Sequence, residues 1–320
     1  MPRVETVIVF FVVLAVVFLL GLFVTGSRIG SDKPEPFPIS VDSRNQMIVE
    51  STEVDKYFDI HVAGSDPSLG KLSWLGKISN KLGVERWPQY LANPLSRTVV
   101  ILSGERREQV SNHFARVLGW NKEEEQIFLD LVSSSSPAMV EGKYYPGSYL
   151  VEKSISPEAM AGIINDAFAN EILARYPNRL EKKVSLEEAL VIASILEREA
   201  YDFEDMRLIS GVIWNRLFLG MNLQLDATLQ YAKGSLPYGT WWPKVVPADK
   251  YIDSPYNTYE NEGLPPTPIA NPSVESVLAA LNPVETECIF YFHNRQAEFF
   301  CSPDYEGHVK LLKQEYGQGK

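Results

Sequence analysis

Between Ala189 and Leu196 the chain reads ALVIASIL, apolar at every position but Ser194. Ser185-Leu186-Glu187-Glu188, just before it, has the pattern of a capping box, Ser at the N-cap and Glu three residues on, so a helix starts there. A helix that is apolar on all sides offers no face to water and has to be enclosed by other elements. This one then runs straight into two carboxylates, Glu197 and Glu199. Burying an ionised carboxylate is costly unless it is paired, or else it keeps its proton. A Glu at the end of such a helix is therefore either a satisfied structural acid or a general acid with a raised pKa. A second helix is expected over Asp205–Leu219, carrying Asn215-Arg216-Leu217 at its end and stopped by Gly220. A tight polar segment follows, Gly220-Met221-Asn222-Leu223-Gln224-Leu225-Asp226.

Near the N-terminus, Val7–Val24 is an uncharged apolar run of 18 residues. As a helix it rises about 27 Å, enough to cross a hydrocarbon core of roughly 30 Å. Secretory signals have apolar stretches of only about 7–15 residues, so length favours an uncleaved anchor over cleavage near Val24-Thr25-Gly26. Arg3 before the run and Arg28 and Lys33 after it leave the charge rule almost silent. A short cytoplasmic tail with the remainder exported is the simpler topology. No other run is long enough to span. The formal net charge of −11 argues against nucleic acid or anionic lipid as a partner. Two cysteines are too few for a disulfide framework.

About 290 residues beyond the apolar run suggest two domains. We expect an α+β chain: a tail and transmembrane helix over 1–29, a membrane-proximal domain over 30–136 and a second domain over 137–320. Ser31–Pro38 reads as a proline-rich linker. In the first domain Thr98–Leu102 reads as a strand. Arg107–Leu118 reads as an amphipathic helix with Val110, Phe114 and Val117 on one face, and a further helix falls around Glu123–Val132. The serine-rich loop Ser133–Pro137 is the expected boundary. Beyond it come a helix from Pro157 to about Tyr176, the capped apolar helix, and a proline- and glycine-rich loop system over Leu236–Asn271. The end brings a helix over Val274–Leu281, an aromatic hairpin over Cys288–Cys301 and a last helix around Gly307–Tyr316.

Several segments stand in an order that resembles one known family. Glu141-Gly142-Lys143-Tyr144-Tyr145-Pro146-Gly147-Ser148-Tyr149 is similar to E-G-Y-L-F-P-D-T-Y, and Ala193-Ser194-Ile195-Leu196-Glu197-Arg198-Glu199 to A-S-I-V-E-K-E. Asn215-Arg216-Leu217 and Leu223-Gln224-Leu225-Asp226-Ala227-Thr228 resemble N-R-L and L-Q-S/T-D-P-T. Ser254-Pro255-Tyr256-Asn257-Thr258-Tyr259 resembles Y-N-T-Y, and Gly263–Pro272 resembles G-L-P-P-x-P-I-x-N-P. Each is weak alone; in this order and spacing, over about 98–317, they resemble the MltG (YceG-like) endolytic murein transglycosylases. Ala227 replaces the family's usual Pro, and Glu298 stands roughly where the family carries a His near its final strand.

That resemblance implies a LysM-like module at about Arg97–Leu131 ahead of a catalytic domain on the extracytoplasmic side of a bacterial inner membrane. The implied substrate is peptidoglycan glycan strands, with penicillin-binding proteins and other wall-synthesis proteins as candidate partners and no cofactor. The implied reaction breaks the MurNAc–GlcNAc β-1,4 bond by attack of the MurNAc 6-hydroxyl on its own anomeric carbon, leaving a 1,6-anhydro end. Ordinary glycosidases need two carboxylates flanking the bond. An intramolecular hydroxyl replaces the second by proximity, so one Glu can protonate the leaving oxygen and then deprotonate the 6-hydroxyl.

Residues two apart on a helix point about 200° apart, so Glu197 and Glu199 cannot share a face. Glu197 falls nearer the Leu190/Ala193/Leu196/Ala200 stripe and Glu199 on the Ile192/Ile195 side; with apolar residues all round, the wheel does not choose. Motif matching favours Glu199 as the catalytic acid and leaves Glu197 as a structural or substrate-orienting one. Asn215, Arg216, Gln224, Asp226, Asn257 and Tyr259 become candidate substrate-binding residues by the same matching. Their plain reading is as helix-end and turn formers. Trp241 and Trp242 read as core or as a sugar-stacking pair. His61 and His113 have no partner pattern, His308 reads as structural, and no metal-ligand spacing appears. If Asn294-Arg295 made a two-residue turn, Cys288 and Cys301 would face each other within bridging distance. Two rival functions stay open: a non-catalytic peptidoglycan-binding scaffold, and a hydrolytic muramidase using Glu199 with an acid such as Asp226.

Overall fold

The computed structural model describes residues 34–49, 51–61, 96–236 and 240–317. The apolar run Val7–Val24 lies outside them, and among the described residues no helix is long and apolar enough to cross a membrane. Met1–Glu35 and Pro36–Lys320 form separate units, and the second carries everything below.

It opens with a small antiparallel pair, β1 (Val41–Asp42) and β2 (Met47–Ile48), followed by α1 (Glu53–His61). Next comes a strand–helix–helix–strand unit: β3 (Ser96–Ile101), α2 (Arg107–Leu118), α3 (Lys122–Ser134) and β4 (Gly147–Glu152). β3 and β4 pair antiparallel, Ser96 opposite Glu152 and Ile101 opposite Gly147. The serine-rich loop expected as a boundary thus lies inside one hydrogen-bonded unit. Sequence reading found β3, α2 and α3 and overlooked β4, whose Gly147-Ser148 start and short length hide it. Lys143 ties that loop down: its buried ammonium donates to the carbonyls of Val132 (2.7 Å), Ser135 (2.7 Å) and Pro137 (2.9 Å). The amphipathic face of α2 behaves as its spacing predicts. Val110 and Phe114 are fully buried against Phe128, Val132 and Tyr144, with Val117 packed at the edge.

The chain continues as α4 (Pro157–Glu171), a 3-10 turn, α5 (Asn178–Glu181), α6 (Leu186–Glu199), α7 (Phe203–Phe218), α8 (Asp226–Gly234) and, after the long loop, α9 (Val274–Leu281). The capping box is formed: Ser185 Oγ accepts from the Glu188 N–H at 3.1 Å, and the Glu188 carboxylate accepts from the Ser185 N–H at 2.8 Å. Every residue from Ala189 to Leu196 is buried, enclosed by α7, α8 and α9. Ser194, the polar exception, donates to the Val191 carbonyl (2.7 Å) and accepts from the Ile269 N–H (3.0 Å). Gly211 lets α7 approach the 284 strand of chain closely; a Cβ there would sit 2.4 Å from the Val284 carbonyl oxygen.

Last come β5 (Phe290–His293), β6 (Phe299–Ser302) and α10 (Tyr305–Tyr316). The hairpin loop is longer than two residues, so the register differs from the expected one: Tyr291 pairs with Cys301 and His293 with Phe299. Cys288 still reaches Cys301 from just before the ladder, at a Cα–Cα distance of 5.7 Å, and the disulfide is formed.

Candidate active site

α6 stops at Glu199 because the backbone of Ala200 turns to extended geometry. Asp205 then fixes the short connection to α7. Its carboxylate accepts from the Tyr201 N–H at 2.9 Å, while its own N–H is capped by Asp202 at 2.9 Å. This leaves Glu199 at the mouth of a cleft of about 240 Å³, lined also by Arg216, Gln224, Asp226, Tyr291 and His293.

The Glu199 carboxyl has two protein donors. The Ala227 N–H, in the first turn of α8, lies 3.1 Å from Oε1, and the Tyr291 hydroxyl lies 3.1 Å from Oε2. Burial raises the carboxyl's pKa above the usual range. The two hydrogen bonds pull it down, the nearby Asp226 pushes it up, and His293 lowers it. The C-terminal end of a helix is also an unfavourable place for negative charge. The result is a carboxyl that holds its proton further toward neutrality than a free Glu. Burial, with Glu199 beside it, drives the Tyr291 phenol well up, so Tyr291 stays a neutral donor.

Arg216, which also lines the cleft, is buried, and its hydrogen bonds go to carbonyl oxygens: Ile289 at 2.6 Å, Asn222 at 3.4 Å and Leu223. Its guanidinium lies 5.2 Å from the Phe290 ring centre. Gln224 sits exposed in the left-handed region (φ 53°) and is pinned by its N–H to the Thr258 carbonyl at 3.0 Å. Asp226, also exposed, accepts from the Tyr259 hydroxyl at 2.8 Å. Glu199, Arg216, Gln224 and Asp226 therefore converge as expected, with Tyr259 one hydrogen bond behind.

The other three candidates are not among the residues that line the cleft. Glu197 points to the other side of α6, where Oε1 accepts from the Ser273 N–H at 2.7 Å, at the N-cap of α9. Asn215 donates to the carbonyls of Thr286 (2.6 Å) and Cys288 (3.0 Å) and so anchors the approach to β5. Asn257 is fully buried, donating to the Lys250 and Ile252 carbonyls (3.0 and 2.9 Å) and accepting from the Tyr259 N–H (3.0 Å). Asn215 and Asn257 thus give their amide N–H groups to backbone carbonyls, and Glu197 accepts from a backbone N–H.

Sequence reading missed Tyr291 and His293. Both lie on one face of β5, and the alternation in Phe290-Tyr291-Phe292-His293 is the signal that would have found them. His293 Nε2 lies 2.9 and 3.0 Å from the two Asp205 oxygens, and the exposed Tyr201 ring meets the imidazole edge-on at 5.0 Å. Glu298, where the resemblance placed a family His, belongs to the hairpin turn: it accepts from Asn294 Nδ2 at 2.6 Å and is exposed. His308 packs on Phe290 and Phe292, a structural position. Among the described residues no cluster could hold a metal ion.

This half-buried, donor-flanked acid sits in a chain whose residues 76–314 match the model of the YceG-like family, and the chain belongs to that family. Among curated relatives, an endolytic murein transglycosylase of Bacillus subtilis is 33% identical over 195 residues, covering 60% of this chain and 52% of the relative. One of Streptococcus pneumoniae is 31% identical over 163 residues, covering 51% of this chain and 30% of the relative. The chain thus spans between about a third and half the length of these relatives. A crystal structure of a yceG-like protein from Listeria monocytogenes has a TM-score of 0.59 at 24% identity, over 87% of this chain and 98% of that one, and shares the fold.

Proposed function

We propose that this protein is an endolytic murein transglycosylase that cleaves the MurNAc–GlcNAc β-1,4 bond of peptidoglycan strands with Glu199 as general acid and then base. The observation that carries the reading is the Glu199 carboxyl itself, held between the Ala227 N–H and the Tyr291 hydroxyl in an open cleft and pushed by burial toward its protonated form. Protonated Glu199 gives its proton to the leaving O4 of GlcNAc as the C1–O4 bond breaks. The MurNAc 6-hydroxyl closes on C1, and the Glu199 carboxylate takes the hydroxyl proton, so the enzyme ends as it began. Ala227 N–H and Tyr291 steady the carboxylate formed in between. Arg216 adds a positive charge to the lining of the same cleft. The curated relatives named endolytic murein transglycosylase support the reaction class.

In this reading Val7–Val24 anchors the chain in the bacterial inner membrane with the remainder outside the cytoplasm. The β3–α2–α3–β4 unit corresponds to the LysM-like module, ahead of the catalytic helices, and wall-synthesis proteins such as penicillin-binding proteins are the partners such a placement would meet. Retention in the membrane fraction after carbonate washing supports the anchor; soluble release with a new N-terminus near Ser27 overturns it.

One observation favours a second reading. Asp226 shares the cleft with Glu199, so a water activated by Asp226 would give hydrolysis instead. Digestion of uncrosslinked glycan strands by the full chain, followed by mass spectrometry of the new termini, separates the two. Anhydro ends support the transglycosylase, reducing ends the muramidase, and intact strands refute both.

A further inference from the structure

His293 and Asp205 form a pair beside Glu199 that the proposed reaction leaves without a task. The imidazole meets the Asp205 carboxylate squarely, with Nε2 at 2.9 and 3.0 Å from its two oxygens. One of those oxygens also accepts from the Tyr201 N–H at 2.9 Å. A carboxylate only accepts hydrogen bonds, so this network assigns the ring proton to Nε2, which donates. In the neutral imidazole the other nitrogen, Nδ1, is then an acceptor with its lone pair directed away from Asp205.

The ring is held in that orientation from several sides. Tyr201 meets it edge-on at 5.0 Å, Phe299 across the hairpin at 5.7 Å and Tyr291 along β5 at 6.2 Å. Its backbone carbonyl accepts from the Tyr316 hydroxyl of α10 at 2.8 Å. His293 and Tyr291, two apart on β5, share one strand face, and the Tyr291 hydroxyl lies 3.1 Å from the Glu199 carboxyl. His293 lines the cleft together with Glu199, Gln224 and Asp226. Among the described residues Nδ1 has no hydrogen-bond partner, and it is not among the polar atoms sealed from solvent. His308 is the contrast: its Nδ1 is sealed in and unpartnered between aromatic rings.

The other polar groups of the cleft are largely committed. Arg216 donates to three carbonyls and Asp226 accepts from Tyr259. Glu199 has to exchange its proton with the reacting oxygens. A rigid acceptor left over beside such an acid suits a donor on the substrate, and an amino sugar carries two kinds, the acetamide N–H and its hydroxyls. Orientation of a sugar against Glu199 requires a contact of this sort, because an acid alone fixes no rotation about the scissile bond.

We propose that His293 is a substrate-orienting residue whose Nδ1 accepts a hydrogen bond from an N–H or O–H of a sugar flanking the scissile bond, with Asp205 holding the tautomer that makes it an acceptor. The proposal rests on the glycan-cleaving reading above.

Two substitutions in the full chain separate this from a structural pair, because Gln places its amide nitrogen near Nε2 of a histidine and Asn places its amide near Nδ1. His293→Gln still donates to Asp205 but has nothing at the Nδ1 position. It should keep the wild-type melting midpoint and lose about tenfold in kcat/KM on uncrosslinked strands, the worth of one hydrogen bond to substrate. His293→Asn abandons Asp205 and should melt lower, yet keep more activity than His293→Gln. Asp205→Asn turns an amide NH2 toward Nε2, moves the ring proton to Nδ1 and should also lose about tenfold. Wild-type kcat/KM in His293→Gln, or greater loss in His293→Asn than in His293→Gln, overturns the proposal. Ring-nitrogen NMR of the Glu199→Gln chain tests it with His293 in place, the resonance being assigned by its absence in His293→Asn. Nδ1 should be unprotonated in the free chain and shift when strands are added well above the wild-type KM; an unmoved Nδ1 overturns the contact even where His293→Gln fails to fold. Strand cleavage by the wild-type chain with an unmoved Nδ1 leaves the catalytic reading standing and removes this one. A shifted Nδ1 in a protein whose wild-type form cleaves nothing does the reverse.

Discussion

Glu199→Gln isolates the proton from everything else that Glu199 does. The amide keeps an oxygen for the Ala227 N–H, now at 3.1 Å, and its other end can meet the Tyr291 hydroxyl as donor where the carboxylate was acceptor. At most one neutral hydrogen bond is weakened, about 1 kcal/mol, which moves the melting midpoint by only about 2–4 °C in a protein of this size. The change also removes an acid that burial disfavours in its charged form, an effect of opposite sign above the carboxyl's raised pKa. Cleavage has no such compensation. Without a proton for the leaving oxygen the rate should fall about 10²–10⁴-fold, or about 3–5 kcal/mol in the barrier. The assay is the rate of anhydro-ended product from uncrosslinked strands, with thermal unfolding of the same preparations. Wild-type turnover by folded Glu199→Gln refutes the assignment, and loss of turnover accompanied by unfolding refutes the argument that the carboxyl is dispensable for folding.

Glu197→Ala should do the opposite, costing about 1–2 kcal/mol in denaturant unfolding by stripping the Ser273 N–H of its acceptor, with cleavage kept within a few-fold. Glu199 and the fully buried Glu141 both have raised pKa values caused first by burial, so the folded chain binds more protons than the unfolded one above the ordinary carboxyl range. Their contribution to stability is therefore fully present below that range and declines as pH rises through the raised values, and cleavage should fall over the same alkaline limb; a melting midpoint whose decline over that limb is unchanged in Glu199→Gln contradicts the Glu199 part of it. Opening Cys288–Cys301, which closes a separation of 13 residues, should cost about 2–4 kcal/mol and also slow cleavage, because Cys301 is the ladder partner of Tyr291; denaturant midpoints and rates with and without reductant check this. Gly211→Ala gains helix propensity but sets a methyl 2.4 Å from the Val284 carbonyl, so a net loss of about 1–3 kcal/mol is expected, and a more stable variant would show that the approach relaxes freely.

Local chemistry was enough to place much of this chain from its residues. The capping box at Ser185 and the unbroken apolar turns after it specify a buried helix wherever they occur, because no arrangement of neighbours can make that stretch a surface. The amphipathic spacing of α2 likewise marked Val110 and Phe114 as core, and the order of short motifs led to the family. Other features depended on partners far away in the chain. The helical wheel left Glu197 and Glu199 equivalent; they were separated only by the Ser273 N–H on one side of α6 and by Ala227 and Tyr291 on the other. Asn215 and Asn257 matched family motifs as well as Asp226 did, yet their amides are consumed by backbone carbonyls that only the folded loops bring within reach. The bridge between Cys288 and Cys301 formed although the hairpin register differs from the one a two-residue turn would give. Periodicity and capping act over a few residues and are written into the sequence. A carboxyl's pKa, and the choice of which acid faces the cleft, belong to burial and to donors some 30 to 90 positions away, and these exist only once the chain has folded.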